Sequence, residues 1–263
     1  MRPVLQLLLL FSSILSATSV SFRCTTRPGC QGMIGYVSPN TTTLSSIRDL
    51  FGLESVYSLL AANSWPTSDS NRSITAGSTV RIPFPCSCSN GTGISDRTPD
   101  YTVKNGDTGL DYIARTIFGQ FVTYPEIAAV SNISNVNLIN VGQKLRIPLP
   151  CSCDDVDGAR VVHYGHVVAN GSSVSQIAAE FETTEATLMS LNNETLSDPK
   201  NLQAGQILDV PIKACNSSVV SSLLVPNGSY ALTANNCVQC SCNLKDLQYV
   251  SLCHIDVECP DDF

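Results

Sequence analysis

An α+β fold of three tandem βααβ units, closed by a small cysteine-rich region, is what the 263-residue sequence predicts. Three observations carry that expectation. Ile82-Pro83-Phe84-Pro85-Cys86-Ser87-Cys88 returns 65 residues later as Ile147-Pro148-Leu149-Pro150-Cys151-Ser152-Cys153, and fades into Val210-Pro211-Ile212-Lys213-Ala214-Cys215. Between these extended ends the apolar spacing switches from alternation to a helical stripe. Twelve cysteines follow a leader that exports the chain, and an oxidising compartment turns an even count into bridges.

The leader comes first. Arg2 supplies a positive start, Val4 to Leu15 is the apolar run, and Ala17, Ser19 and Ser21 offer the small residues of a cleavage site, so residues 1–21 read as a signal peptide. The run is about twelve residues, short of the roughly twenty that span a bilayer. The first unit, with an N-terminal cysteine pair, covers 22–88. Its opening strand contains Tyr36-Val37, and Leu44, Ile47 and Phe51 keep a helical stripe although Arg48 interrupts it.

The second unit covers 89–153. Tyr101-Thr102-Val103 opens it, and Leu110, Ile113, Ala114 and Ile117 share one helical face. Thr123-Tyr124-Pro125-Glu126 is a capping box with proline in the first turn, which starts a second helix through Ile127 and Val130. Gly142 serves a turn before the closing strand, where Leu145 and Ile147 alternate toward the helices. The third unit, 154–214, repeats the order with His166-Val167-Val168, the stripe Val174, Ile177, Ala178, Phe181, and the close at Val210-Pro211. Residues 215–263 hold the last six cysteines.

Asn170-Gly171-Ser172-Ser173-Val174-Ser175-Gln176-Ile177-Ala178, with Leu191-Asn192 and Gly205-Gln206-Ile207-Leu208-Asp209-Val210-Pro211, resembles the LysM module, a βααβ unit that binds N-acetylglucosamine-containing glycans. Asn105-Gly106-Asp107-Thr108 and Gly142-Gln143-Lys144-Leu145-Arg146-Ile147-Pro148 match it at both ends. The second unit departs by one extra residue before the helix, Gly109 or Leu110, and the first has Thr41-Thr42-Thr43 in place of the Gly-Asp pair. Three such units separated by Cys-x-Cys resemble the extracellular part of plant LysM receptor proteins. Ser87 to Gly93, Val122-Thr123-Tyr124 and His163-Tyr164 resemble the chitin-elicitor-binding type within that family, usually lipid-anchored.

Cysteines two apart on a strand point to opposite faces, so each seeks a different partner; six cysteines leave fifteen pairings. The resemblance implies Cys24–Cys88, Cys30–Cys153 and Cys86–Cys151. Cys237, Cys240 and Cys242, with His254 the nearest imidazole, have zinc-like spacing, but export favours a second disulfide framework with Cys215, Cys253 and Cys259. No metal and no cofactor is expected. In the resembling family this region runs on to a lipid-anchor signal, so an ending at Phe263 is read as a truncated or alternative product, secreted unless an anchor follows.

Net charge is −7 and charged residues make up 14% of the chain, with no basic block, which disfavours nucleic acid and anionic membranes as partners. Acceptor tripeptides at Asn40, Asn71, Asn90, Asn132, Asn170, Asn193, Asn216 and Asn227 offer glycans as the solubilising surface instead. The resemblance places a chitin-binding groove in the second unit, with Gly106, Asp107, Thr108, Gly109 and Leu110 on one side and Ile133, Ser134, Asn135, Val136 and Asn137 on the other. Turn chemistry alone accounts for each of these residue types too. The third groove is disfavoured because a glycan on Asn170 would sit at its edge; Asn132 poses a similar difficulty for the second.

Asp154, Asp155 and Asp157 read as a solvated acidic turn, and His163 and His166 as packing residues, so no catalytic constellation is expected. The implied function is a cell-surface receptor or co-receptor for chitin oligosaccharides that signals through a LysM receptor-like kinase, with long oligomers bridging two copies. A peptidoglycan receptor and a secreted glycan-sequestering decoy are the alternatives.

Overall fold

The computed structural model describes residues 20–97, 99–217, 224–233, 238–243 and 250–255, the last of these in backbone only. The leader expected at 1–21 thus lies almost wholly outside the described residues, as do Cys237 and Cys259.

Strand, helix, helix, strand recurs three times. In the first segment Gly29–Val37 leads to helices Leu44–Leu50 and Val56–Ala62 and back to Thr79–Ser89. The second runs Asp100–Thr102, a helix beginning at Leu110, Tyr124–Val130 and Lys144–Arg146. The third runs Val161–Val167, Val174–Glu180, Glu185–Leu191 and Ile207–Ser217. One turn pattern closes the end of each strand pair. The residue after the opening strand exchanges backbone hydrogen bonds with the turn before the closing strand: Ser38 with Ser78 and Gly77, Val103 with Gln143 and Gly142, Val168 with Gln206 and Gly205.

Caps set the helix starts. Thr43, Ser173 and Thr184 accept backbone N–H groups through their hydroxyls, and Glu126 accepts from both the N–H and the hydroxyl of Thr123, at 2.7 and 2.8 Å. The first helix of the second segment differs in a way the apolar stripe did not reveal. Phe51 and Phe181 donate to carbonyls four residues back, Ile47 and Ile177, whereas Phe118 donates to Ile113, five back. A second extra residue is therefore taken up inside the helix as a π-turn over Ile113–Ile117, which keeps Phe118 on the buried face.

The opening strands of the first and third segments are far longer than the sequence indicated, since each pairs along its whole length with its closing strand, and the two also meet each other. Tyr164 lies opposite Met33 and Gly165 opposite Ile34 in a parallel rung, joining both segments in one sheet. Parallel pairing between residues about 130 apart leaves no local signal. The second segment's strands form a separate two-stranded sheet, Asp100–Thr102 on Lys144–Arg146.

Two main cores follow this division. One spans the first two segments and contains an edge-to-face aromatic chain, Tyr36 to Phe51 at 5.0 Å, Phe51 to Phe118 at 5.9 Å and Phe118 to Tyr101 at 5.7 Å. The other belongs to the third segment, around Val174, Ile177, Leu188, Leu208 and Val210, with Met33 and Ala62 entering from the first.

Disulfides join Cys24 to Cys88, Cys30 to Cys153 and Cys86 to Cys151, with Cα–Cα distances of 5.5, 5.6 and 6.0 Å. Sulfurs of Cys24, Cys86, Cys88 and Cys153 lie within 4.8 Å of one another because these bridges stack, each sulfur already bonded rather than a free thiolate. Cys215 pairs with Cys242, and Cys240 is also disulfide-bonded. The C-terminal region is continuous with the third segment: Ile207–Ser217 runs straight through the expected boundary at 215 and pairs with Leu224–Pro226. Its hairpin of Ser229–Thr233 and Val238–Cys242 returns to the first segment, where the Tyr230 hydroxyl donates to the Trp65 carbonyl at 2.7 Å and Ser64 reaches Gly228.

Candidate functional site

In the second segment, antiparallel pairing puts the end of the opening strand beside the start of the closing one, so the 103–109 turn and the 138–143 turn share one end of the unit. Asp107 organises the first turn. Its carboxylate accepts from the Lys104 N–H at 2.7 Å and from the Tyr101 hydroxyl at 2.9 Å. Burial, and then the Asp107 hydrogen bond and charge, push the Tyr101 phenol well above its ordinary value, so it remains a donor. Gly106 has φ of +101°, a conformation that glycine adopts without strain. Asp107 is thus engaged within the turn, while Gly106 and Thr108 are exposed and Gly109 half-buried. Leu110 is drawn out of the expected groove: at 1% exposure its side chain belongs to the core, where the helical stripe requires it.

The second stretch expected to line the groove follows Tyr124–Val130. Ile133 donates to the Ala128 carbonyl at 2.9 Å, and Asn135 folds an Asx turn by accepting the Asn137 N–H at 3.1 Å. Ile133 and Val136 lean on the core, leaving Ser134, Asn135 and Asn137 exposed as amide and hydroxyl groups. Directly beyond lie two side chains that sequence reading passed over, Leu138 at 62% and Val141 at 69% exposure. They fall outside any helical or strand period, and that mismatch was their only trace.

Residues 101–148 and 166–211 match the LysM domain family. LysM domain-containing GPI-anchored protein 2 of Arabidopsis thaliana is 45% identical over 240 residues, 89% of this chain and 68% of its own length. The chain belongs to this LysM protein family. Another relative, the chitin elicitor-binding protein of Oryza sativa subsp. japonica, is 44% identical over 241 residues, 88% of this chain and 67% of its own. The fold of this LysM protein is also that of a crystallised ectodomain of a receptor like kinase, with a TM-score of 0.59 at 24% identity over 71% of this chain and 92% of that one.

A cavity of about 560 Å³ lies away from the expected groove, between the N-terminal segment and the LysM domain at residues 166–211. Thr25, Ser152, Asp154, His163, Asn192 and Asp209 contribute to its walls. Here two readings are refined. The acidic turn is solvated at Asp155 and Asp157, but Asp154 is half-buried and engaged: its carboxylate accepts the N–H and hydroxyl of both Thr25 and Thr26, at 2.7 to 3.0 Å. Desolvation raises the Asp154 carboxyl, but these four donors outweigh it and leave the group below its ordinary value. Asp155 pairs with Arg27 at 2.9 Å and Asp157 accepts from Thr187 at 2.8 Å. His163, expected as a packing residue, is an ion-pair partner of Asp209, 2.8 Å away and equally buried. His166 does pack, against Tyr164 and Phe181, and burial lowers it to about 4. None of this acidic cluster is arranged as a facing carboxylate pair in the expected groove.

Among the described residues, no helix is long and apolar enough to cross a membrane. Seven of the acceptor asparagines are exposed, and Asn227 is half-buried.

Proposed function

We propose that this LysM protein is a non-catalytic extracellular receptor or co-receptor that binds chitin oligosaccharides through residues 101–148 and signals through a partner LysM receptor kinase. The supporting observation is its 44% identity, over 88% of the chain, to a protein named for binding a chitin elicitor. Residues 29–89 are the first of three tandem LysM modules in this reading, supported by their identical element order and turn closure.

The chemistry fits an uncharged ligand. Each N-acetylated sugar needs donors and acceptors for its acetamide and apolar contact for its methyl and ring faces. Ser134, Asn135, Asn137 and the Gly106–Thr108 backbone supply the first, and Leu138 and Val141 the second. A kinase partner is supported by the fold shared with a receptor like kinase ectodomain. Long oligomers then bridge two copies, a gain through effective concentration.

Calorimetry with an N-acetylglucosamine octamer tests this. Heat of binding is expected for the native chain, and at least tenfold weaker binding for Leu138→Asp combined with Val141→Asp, whose exposed positions leave folding intact. Binding of peptidoglycan fragments with no octamer signal would replace the ligand class. Unchanged octamer affinity in the double variant would move the groove elsewhere.

A further inference from the structure

The third LysM domain is attached without covalent help. Residues 154–214 contain no cysteine, and the six cysteines before them pair only with one another. Besides the backbone, two parallel rungs, apolar packing and an Arg81–Tyr164 contact, a polar chain makes the connection, exposed at its start and buried at His163 and Asp209. It starts at Thr25 and Thr26, passes through the Asp154 carboxylate, and leaves by the Asp154 carbonyl, which accepts from His163 Nε2 at 2.9 Å. His163 Nδ1 faces both Asp209 oxygens at 2.8 and 2.9 Å. The Asp209 backbone then exchanges two hydrogen bonds with the Asn192 side chain, at 2.8 and 2.9 Å, where helix Glu185–Leu191 ends.

Both nitrogens of His163 thus face oxygen acceptors, and a carbonyl has no proton to give. A neutral imidazole carries one N–H; only the protonated ring donates to the carbonyl and the carboxylate together. After loss of that proton the one remaining N–H stays on Nδ1, donating to the ionised carboxylate at 2.8 Å in a site with 1% and 4% side-chain exposure. The Nε2 lone pair then faces the Asp154 carbonyl, and that linker contact is given up.

We propose that His163 is a proton-operated latch on the docking of the third LysM domain: protonated, it holds the 153–155 linker against strand Ile207–Ser217, and deprotonated it lets the domain loosen. The inference is independent of what the protein binds. Groups facing the latch are mostly acidic and favour the proton. Asp209 comes from its partner strand, Asp154 and Asp155 from the linker, and Glu194 from the turn after the last helix. Arg23 on the N-terminal segment and Arg27, already held by Asp155, oppose them. Burial lowers the His163 imidazole, but Asp209's charge and hydrogen bond, with Asp154, more than offset it and leave it above its ordinary value. Stabilisation is therefore complete below about pH 6.5 and is lost as pH rises through the raised folded value. His166, at about 4, remains neutral throughout that window.

Hydrogen exchange of the full chain between pH 6 and 9, corrected for the intrinsic pH dependence of amide exchange, reads the latch directly. Opening of Val161–Val167 is expected to grow by up to about tenfold per pH unit between about pH 6.5 and the His163 midpoint and to level off above it, while Asp100–Thr102 does not respond. In Asp209→Asn the step is expected to shift below pH 6.5. Should that variant not fold, the native chain still decides. A native profile flat from pH 6 to 9, or a His163 ring titration by NMR at or below 6.5, would overturn the proposal.

Discussion

Residues 22–153 and residues 154–214 build the same strand–helix–helix–strand unit and secure it by different means. The earlier part carries three stacked disulfides and one core shared between two units. The later part has a core of its own, two parallel rungs and a buried His163–Asp209 pair. A unit of about 45 residues buries too little apolar surface to be stable alone, so each must borrow stability from a neighbour. Covalent constraint acts on the unfolded chain and is insensitive to pH, whereas the ion pair acts on the folded state and carries a proton. The two routes therefore give one half a fixed geometry and the other an adjustable one.

The largest expected effect breaks the fixed half. Cys86→Ser with Cys151→Ser removes a bridge of sequence separation 65, worth about 4 kcal/mol in the chain-entropy model. Thermal unfolding should show that loss, and a midpoint unchanged within a degree would mean that the shared core alone holds the two units.

Phe118→Ala removes the ring that links Phe51 to Tyr101 and should cost about 3 kcal/mol. Denaturant unfolding should still show the first two units lost together; separate transitions would refute a common core.

Gly35→Ala addresses the adjustable half. A methyl at this position would collide with the Tyr164 hydroxyl across the parallel rung. A cost of about 2 kcal/mol is expected, confined to exchange in Val161–Val167. Equal loosening of Asp100–Thr102 would erase the contrast between the halves.

The smallest effect comes from the linker. Asp154→Ala gives up four hydrogen bonds at a half-exposed site, about 1 kcal/mol after discounting for solvent. Because Asp154's folded value lies below its unfolded one, its contribution is present above about pH 4 and lost as pH falls through the folded value. The variant should therefore have a flatter acid limb than the native chain in thermal melts from pH 2 to 6; superimposable limbs would place the acid sensitivity elsewhere.

Much of this was legible in local pattern. The 65-residue recurrence is visible on comparing the chain with itself, and the Thr123–Glu126 capping box and the Val174, Ile177, Ala178 stripe are short-range signals, since capping and amphipathic spacing act within four residues. The candidate groove was legible only as two turns. Leu110 was expected there because a turn residue and a first helical residue look alike in sequence, though its side chain is buried, and the exposure of Leu138 and Val141 was not legible because nothing local marks an aliphatic side chain as exposed.

The sequence by itself determined a repeated α+β chain with an even number of cysteines, because composition, period and caps are read along the chain without reference to its folding. Tertiary structure decided the rest: which strands lengthen into a common sheet, which cysteines stack, and that His163 meets Asp209 46 residues away. A half-cystine or an imidazole has several chemically acceptable partners along the chain, and only packing puts one of them within reach.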